Sequence, residues 1–323
     1  MKPKSYVDGV LIEWGDRWNW TPKAGKPQKP KKTSTGLFRP KQSATTPVNT
    51  VQATRRVLAA LAKNTPQAVV KISGGGKGMK FIKNHLSYIS RNGEVDLEDQ
   101  DGEIYQGKEG LKEINGLWKN GFSPIPEESD KREAIQIVLS MPAGTDRLGV
   151  HRAARDFAKK TFGENHHYVF ANHDDRPQPH VHLAVKVRGL DGTRLNPRKA
   201  DLQQWRNEFV EALRAHGIEA VSTRRKTHLQ QKRGDKQAVY HLKKRGDTLK
   251  KKTGTRPEIK AKAVQNRVKA LRDYQIVTST LAQSDAEDRK LALDLLSRLA
   301  EINKVNLVQD RKGKDIKKDE GRK

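Results

Sequence analysis

The sequence has no cysteine, which excludes disulfides, thiolate metal sites and a cysteine nucleophile. It has no run of about 18 apolar residues, so no transmembrane helix is expected. The N-terminus has no apolar signal-peptide segment. These absences predict a soluble cytoplasmic protein. Hydrophobic residues are sparse, 34% of 323 against 32% charged, so a packed core must be confined to part of the chain. Cationic charge, in contrast, is abundant. There are 65 Lys and Arg against 38 Asp and Glu, a formal net charge of +27. Such an excess favours a polyanionic partner, because Lys and Arg neutralise phosphates and release condensed counterions. Ribosomal proteins and basic tails share this composition, so charge points to nucleic acid and says nothing of catalysis.

Along the chain, residues 1–66 read as a basic, largely disordered arm with a short helix near 51–63. KAGKPQKPKKTSTG (23–36) has linker composition. Trp14, Trp18 and Trp20 interrupt the polar arm; they suit either stacking on bases or docking on a folded part. The folded region is 67–220. AVVKI (68–72) reads as a strand, SGGGKG (73–78) as a Gly-rich turn, and MKFIKNHLSYIS (79–90) as a helix. Ile82, Leu86 and Ile89 form its apolar spine, with Phe81, His85 and Tyr88 on a neighbouring face. Residues 94–105 read as loop. AIQIVLSM (134–141) is a strand, Asp146 a helix cap, 147–162 a helix, 167–172 and 181–188 strands, and 200–216 a helix. This order predicts an α+β fold, an antiparallel sheet with helices on one face. Residues 221–256 hold thirteen Lys and Arg, among them Lys243, Lys244, Arg245, Lys250, Lys251 and Lys252, against two acids. They read as a DNA-binding segment or, alternatively, a solvated linker. Residues 257–309 read as helical, with Leu291, Leu295, Leu299 and Ile302 on one stripe. Residues 310–323 form a charged, disordered tail.

The densest chemical signal is NHDDRPQPHVHLAV (172–185). Strand alternation puts His180 and His182 on one face, expected to be the exposed one, while Val181, Leu183, Val185 and Val187 point to the core. His173 ends the preceding strand. Three imidazoles can converge on one ion and leave positions open for water or phosphate oxygens. Asp175 suits an orienting role beside them. SGGGKG lacks the spacing and the Lys-Ser/Thr ending of a nucleotide-triphosphate loop, so ATP binding is not expected.

The pattern His-x-Asp-x-x-x-Pro-His-x-His resembles the third motif of the relaxase/mobilisation nuclease family, part of the HUH endonucleases, and is similar to its T-DNA border endonuclease branch. HLSYISRNG (85–93), after a strand and Gly-rich turn, resembles the first motif, with the catalytic tyrosine matching Tyr88. IVLSMPAGTD (137–146) is similar to the second motif, whose serine matches Ser140. Many members begin that strand with His; here Glu133 and Ala134 stand there, and no role is assigned to them. The resemblance covers about 68–220.

It implies an HUH-type palm with a divalent cation, Mg²⁺ or Mn²⁺, on His173, His180 and His182, and says nothing of the basic N-terminal arm or the helical C-terminal region that flank the palm. The implied activity is strand-specific nicking by Tyr88, giving a 5′-phosphotyrosine and a free 3′-hydroxyl, followed by rejoining. Asp175 is the candidate base; Ser140, Arg91 and the six cations of 221–256 are candidate DNA contacts. Implied partners are single-stranded plasmid or mobile-element DNA at an origin of transfer, a relaxosome accessory protein and a type IV coupling protein, without membrane insertion. The implied location is the bacterial cytoplasm, with passage to a recipient cell alongside the DNA. Two alternatives stay open: a rolling-circle initiator or transposase of the same superfamily, and a non-catalytic DNA-binding accessory protein. Tyr88 precedes the histidine motif, whereas the initiators usually place tyrosine after it.

Overall fold

The computed structural model describes residues 3–18, 47–223, 245–246 and 257–302. Its elements in chain order are α1 (Lys4–Trp18), α2 (Pro47–Ala62), β1 (Val69–Gly76), α3 (Met79–Ile89), β2 (Leu97–Asp99), β3 (Ile104–Tyr105), α4 (Gly107–Asn120), β4 (Ala134–Ser140), α5 (Arg147–Phe162), β5 (Tyr168–His173), β6 (His180–Lys186), α6 (Lys199–Ala215), α7 (Pro257–Leu281) and the helical residues 286–302, α8. They divide into two compact units. One comprises 65–222, the other 1–64 with 223–323.

The first unit is α+β, a six-stranded antiparallel sheet in the order β1-β4-β6-β5-β2-β3. β6 is central, and alternation decides what each of its faces meets. Val181, Leu183, Val185 and Val187 join Phe157 of α5 and Phe209 of α6 in one core. Ala184, on the other face, joins Val169 and Ala171 of β5 beneath Ile82, Leu86 and Ile89 of α3 and Ile114 and Trp118 of α4. Helices therefore cover both faces, not one. The expectation failed because α4 was overlooked and because small residues at 171 and 184 leave little apolar signal on that side.

Two more readings need correction. The glycines of SGGGKG are not a turn: Gly74, Gly75 and Gly76 continue β1 past a bulge after Ile72 and pair with Gln136, Ile135 and Ala134. A Cβ at Gly76 would collide with Ile82 Cγ1, so the glycine lets α3 lie against the strand. Only Gly78, at φ 106°, takes the backbone conformation that turns the chain into α3. Residues 97–105 are not loop but the hairpin β2–β3, and Tyr105 is a strand residue. Asp146 does cap α5, accepting from the amides of Leu148 and Gly149.

In the second unit, α2 contains the short helix expected near 51–63, and α1 lies within the arm expected to be largely disordered. These share a core with α7 and α8 through Val7, Leu11, Trp14, Leu58, Tyr274, Val277, Leu281 and Leu295. Leu291, Leu299 and Ile302 pack at its margin, as their stripe predicted. Trp14 is buried there, so it docks and does not present itself to bases. The side chain of Trp18, Trp20, the 23–36 linker, the 310–323 tail and 221–256 beyond Thr223, apart from 245–246, lie outside the described residues.

Candidate active site

The register between β5 and β6 builds the histidine cluster. His173 lies directly across from His180, and His182 follows two residues along, on the same face. The three ring centroids are 4.5–5.3 Å apart. One ring nitrogen from each lies within 4.8 Å of the other two. Contrary to expectation, this face is covered: α3 crosses it, His173 and His180 are buried, and His182 is half-buried.

Backbone carbonyls fix two tautomers, since a carbonyl can only accept. His173 Nε2–H donates to Ile89 O at 2.6 Å, and His180 Nδ1–H donates to Gln178 O at 3.0 Å. The opposite nitrogens keep their lone pairs, a common second-layer arrangement for imidazole ligands. His182 Nδ1 is buried and has no hydrogen-bond partner. Burial pushes His182 down to about 3 and also lowers His173. Converging imidazoles with an orphaned buried nitrogen fit a divalent cation.

Tyr88 closes the cluster on its open side. Its ring meets His182 edge-on at 5.8 Å and 87°, and it is 49% exposed, so its hydroxyl can be approached from solvent. His85, one turn earlier, stacks on Tyr88 at 6.4 Å; burial lowers its pKa to about 4, and its Nε2 has no partner. After α3 the chain reverses through three positive-φ residues, Arg91 (52°), Asn92 (58°) and Gly93 (94°). Left-handed backbone at non-glycine residues is strained, and such strain gathers at functional sites. Here it folds Arg91 back over the site. Its guanidinium sits 5.3 Å above the Tyr88 ring. Its Nη2 donates to Asp175 Oδ2 at 2.6 Å and approaches His173 Nδ1 at 3.3 Å.

Asp175 also lies 3.7 Å from His180 Nε2. Desolvation opposes its charge, but Arg91 and the imidazoles prevail and hold the carboxyl below its ordinary range. Ser140, opposite His180 in register, donates to Pro179 O at 3.2 Å and braces the turn into β6. Glu133 is tied to Arg194 at 3.2 Å, at the end of β4 remote from Ser140. Tyr88, the three histidines, Asp175, Arg91 and Ser140 thus come together. Arg245 lies exposed in a turn of the other unit, while Lys243, Lys244, Lys250, Lys251 and Lys252 lie outside the described residues. Sequence reasoning missed the carbonyls of Ile89 and Gln178, which no side-chain pattern reveals. It also missed the reversal at Arg91, whose only trace is the Asn-Gly that follows it.

Comparison with known proteins bears on the same region. Residues 97–218 match the relaxase family, MobA/VirD2-like, nuclease domain. This span begins after α3, so Tyr88 rests on geometry and local motif. T-DNA border endonuclease VirD2 of Rhizobium radiobacter is 29% identical over 178 residues, covering 49% of this chain and 42% of the relative. VirD2 of Agrobacterium fabrum is 28% identical over 179 residues, covering 49% and 40%. That of Rhizobium rhizogenes is 30% identical over 140 residues, covering 39% and 32%. The chain spans less than half the length of these relatives. Over residues 97–218 the chain is similar to the MobA/VirD2-like relaxase nuclease domain, and about half of it is similar to part of the T-DNA border endonucleases.

Proposed function

We propose that this chain nicks one strand of plasmid or mobile-element DNA at an origin of transfer and later reseals it, with Tyr88 as nucleophile. The observation that carries the reading is the exposed Tyr88 ring set edge-on against His182 of the three-imidazole cluster. The Tyr88 oxygen attacks the scissile phosphorus as the bond to the 3′-oxygen breaks. The tyrosyl proton is given up, and the 3′-oxygen leaves as a hydroxyl. A 5′-phosphotyrosine remains, and attack by a 3′-hydroxyl reverses the step. A divalent cation, Mg²⁺ or Mn²⁺, on His173, His180 and His182 would polarise the non-bridging phosphate oxygens. Arg91, above the Tyr88 ring, is suited to a phosphate oxygen, and Asp175 holds it there. Asp175 is more suited to positioning than to basicity, because Arg91 depresses its pKa.

The wider setting belongs to the same proposal: a bacterial cytoplasmic relaxase, an accessory relaxosome protein, a type IV coupling protein, and passage with the bound strand into a recipient cell. Among the described residues no helix is long and apolar enough to cross a membrane. The test is labelled single-stranded DNA containing the origin, incubated with and without Mg²⁺ or Mn²⁺. Wild type should form a covalent adduct, and Tyr88→Phe should form none while binding DNA nearly as well. An adduct of normal yield in Tyr88→Phe overturns the assignment.

A further inference from the structure

A groove of about 520 Å³ runs between α3 and α4. Lys108, Lys112, Asn115 and Lys119 line it from α4, and Asn84 and Ser87 from α3. The α4 residues recur at i, i+4, i+7 and i+11, one helical face. Glu109 and Glu113, the acidic residues of α4, are not among the residues that line the groove. Lys119 is paired with Glu127 at 3.1 Å. Lys108 and Lys112 are exposed, and among the described residues no carboxylate lies within ion-pair distance of either. This segregation is not a by-product of a basic unit: residues 65–222 hold 23 Lys and Arg against 22 Asp and Glu, a net of only +1.

One further feature favours a nucleic acid over an acidic peptide. Phe81 is 58% exposed on α3, three residues before Asn84, and offers a face for base stacking. Asn84 in turn lies one helical turn before Tyr88, so the groove opens beside the nucleophile. From Lys108 to Lys119 is about 16 Å along the helix axis, room for several nucleotides.

We propose that this groove is a track for single-stranded DNA adjoining the nick, with Lys108 and Lys112 on its phosphates and Phe81 beneath a base. The inference rests on the nickase reading above, which the experiment tests separately. In the full chain, Lys108→Gln/Lys112→Gln is compared with wild type and with Lys159→Gln/Lys199→Gln, an equal charge change on α5 and α6. Binding of origin oligonucleotides, full-length or shortened on one side of the nick, is followed by fluorescence anisotropy at several salt concentrations.

The groove variant should bind the full-length strand about ten-fold more weakly, with the log–log salt slope reduced by about 1.4. It should also lose less affinity than wild type when the strand is shortened on the groove side. Phe81→Ala, which leaves the charge alone, should weaken binding without changing the slope. Affinity and slope like those of wild type, or an equal effect from the control pair, overturn the track. Absence of a covalent adduct in wild type under Mn²⁺ would instead defeat the nickase reading, and binding would still report on the groove.

Discussion

His182 Nδ1 is a buried nitrogen without a partner, on a ring that burial keeps neutral. Leaving such an atom unsatisfied costs about 1–3 kcal/mol, and a cation shared with His173 and His180 would offset that cost. Metal should therefore stabilise the fold. At a hundred times Kd a ligand specific for the native state adds about 2.7 kcal/mol. Scanning calorimetry with Mn²⁺ should raise the Tm of wild type by several degrees and leave that of His180→Ala/His182→Ala unmoved. Ni²⁺ and Zn²⁺ should bind more tightly than Mg²⁺, because imidazole favours them. An equal Tm rise in the double variant removes the three-histidine site.

Lys186 presents the opposite problem, a cation placed in the core. Its Nζ donates to the carbonyls of Phe122 and Ser123 and lies 5.6 Å from the Trp118 ring, yet burial pushes it down to about 8. Between that value and the ordinary 10.5 the unfolded chain binds the extra proton, so stability rises with pH across this window and is flat below it. Wild type should gain on the order of 2 kcal/mol relative to Lys186→Met between pH 8 and 10.5, read from urea midpoints. A difference between the two that does not change with pH contradicts the buried ammonium.

At the level of elements, legibility followed apolar periodicity. α5 was readable to its ends because Asp146 caps it and Val150, Ala154 and Phe157 recur at helical spacing. β6 was readable because its valines and Leu183 alternate with histidines, and its register against β5 then gives the histidine cluster. β2 and β3 were not, since three and two residues of mixed polarity carry no period. α4 was hidden by Gly107, Gly110 and Gly116, which lower helix propensity although Leu111, Ile114 and Trp118 keep the helical interval. β1 was cut short because glycines usually punctuate. Here they admit a helix instead, and Gly76 is the tightest point. Gly76→Ala would press Cβ into Ile82 Cγ1 and lift the helix that holds Tyr88. Overpacking of this kind costs about 1–3 kcal/mol, and a small misplacement of a nucleophile slows reaction steeply. Adduct yield at saturating DNA should fall more than DNA affinity does; a variant equal to wild type in urea midpoint and yield would show that β1 and α3 can part without cost.

For the molecule as a whole, charge and chemistry are divided between the two units. The unit 65–222 is almost neutral, at +1, so +26 of the +27 lies in 1–64 and 223–323, which hold 42 Lys and Arg against 16 Asp and Glu. A neutral unit can cut at a defined phosphate, but long-range attraction to a polyanion must come from elsewhere in the chain. Thirteen of those cations fall within 221–256, immediately after the last residue of the neutral unit. Contacts from such a segment go to phosphates; they add affinity and salt dependence without choosing sequence. Replacing Lys243, Lys244, Arg245, Lys250, Lys251 and Lys252 by Gln removes six cations and should flatten the log–log salt slope on single strands by up to about 4. The cleaved phosphate should stay the same, because in the proposed reaction Tyr88 and the histidine cluster, which belong to the other unit, carry the chemistry. If the slope is unchanged, the segment is a linker, and the excess charge that grips DNA must be sought in 1–64 or beyond 256. If instead the cut moves, the basic segment takes part in sequence choice, and the separation of grip from chemistry fails.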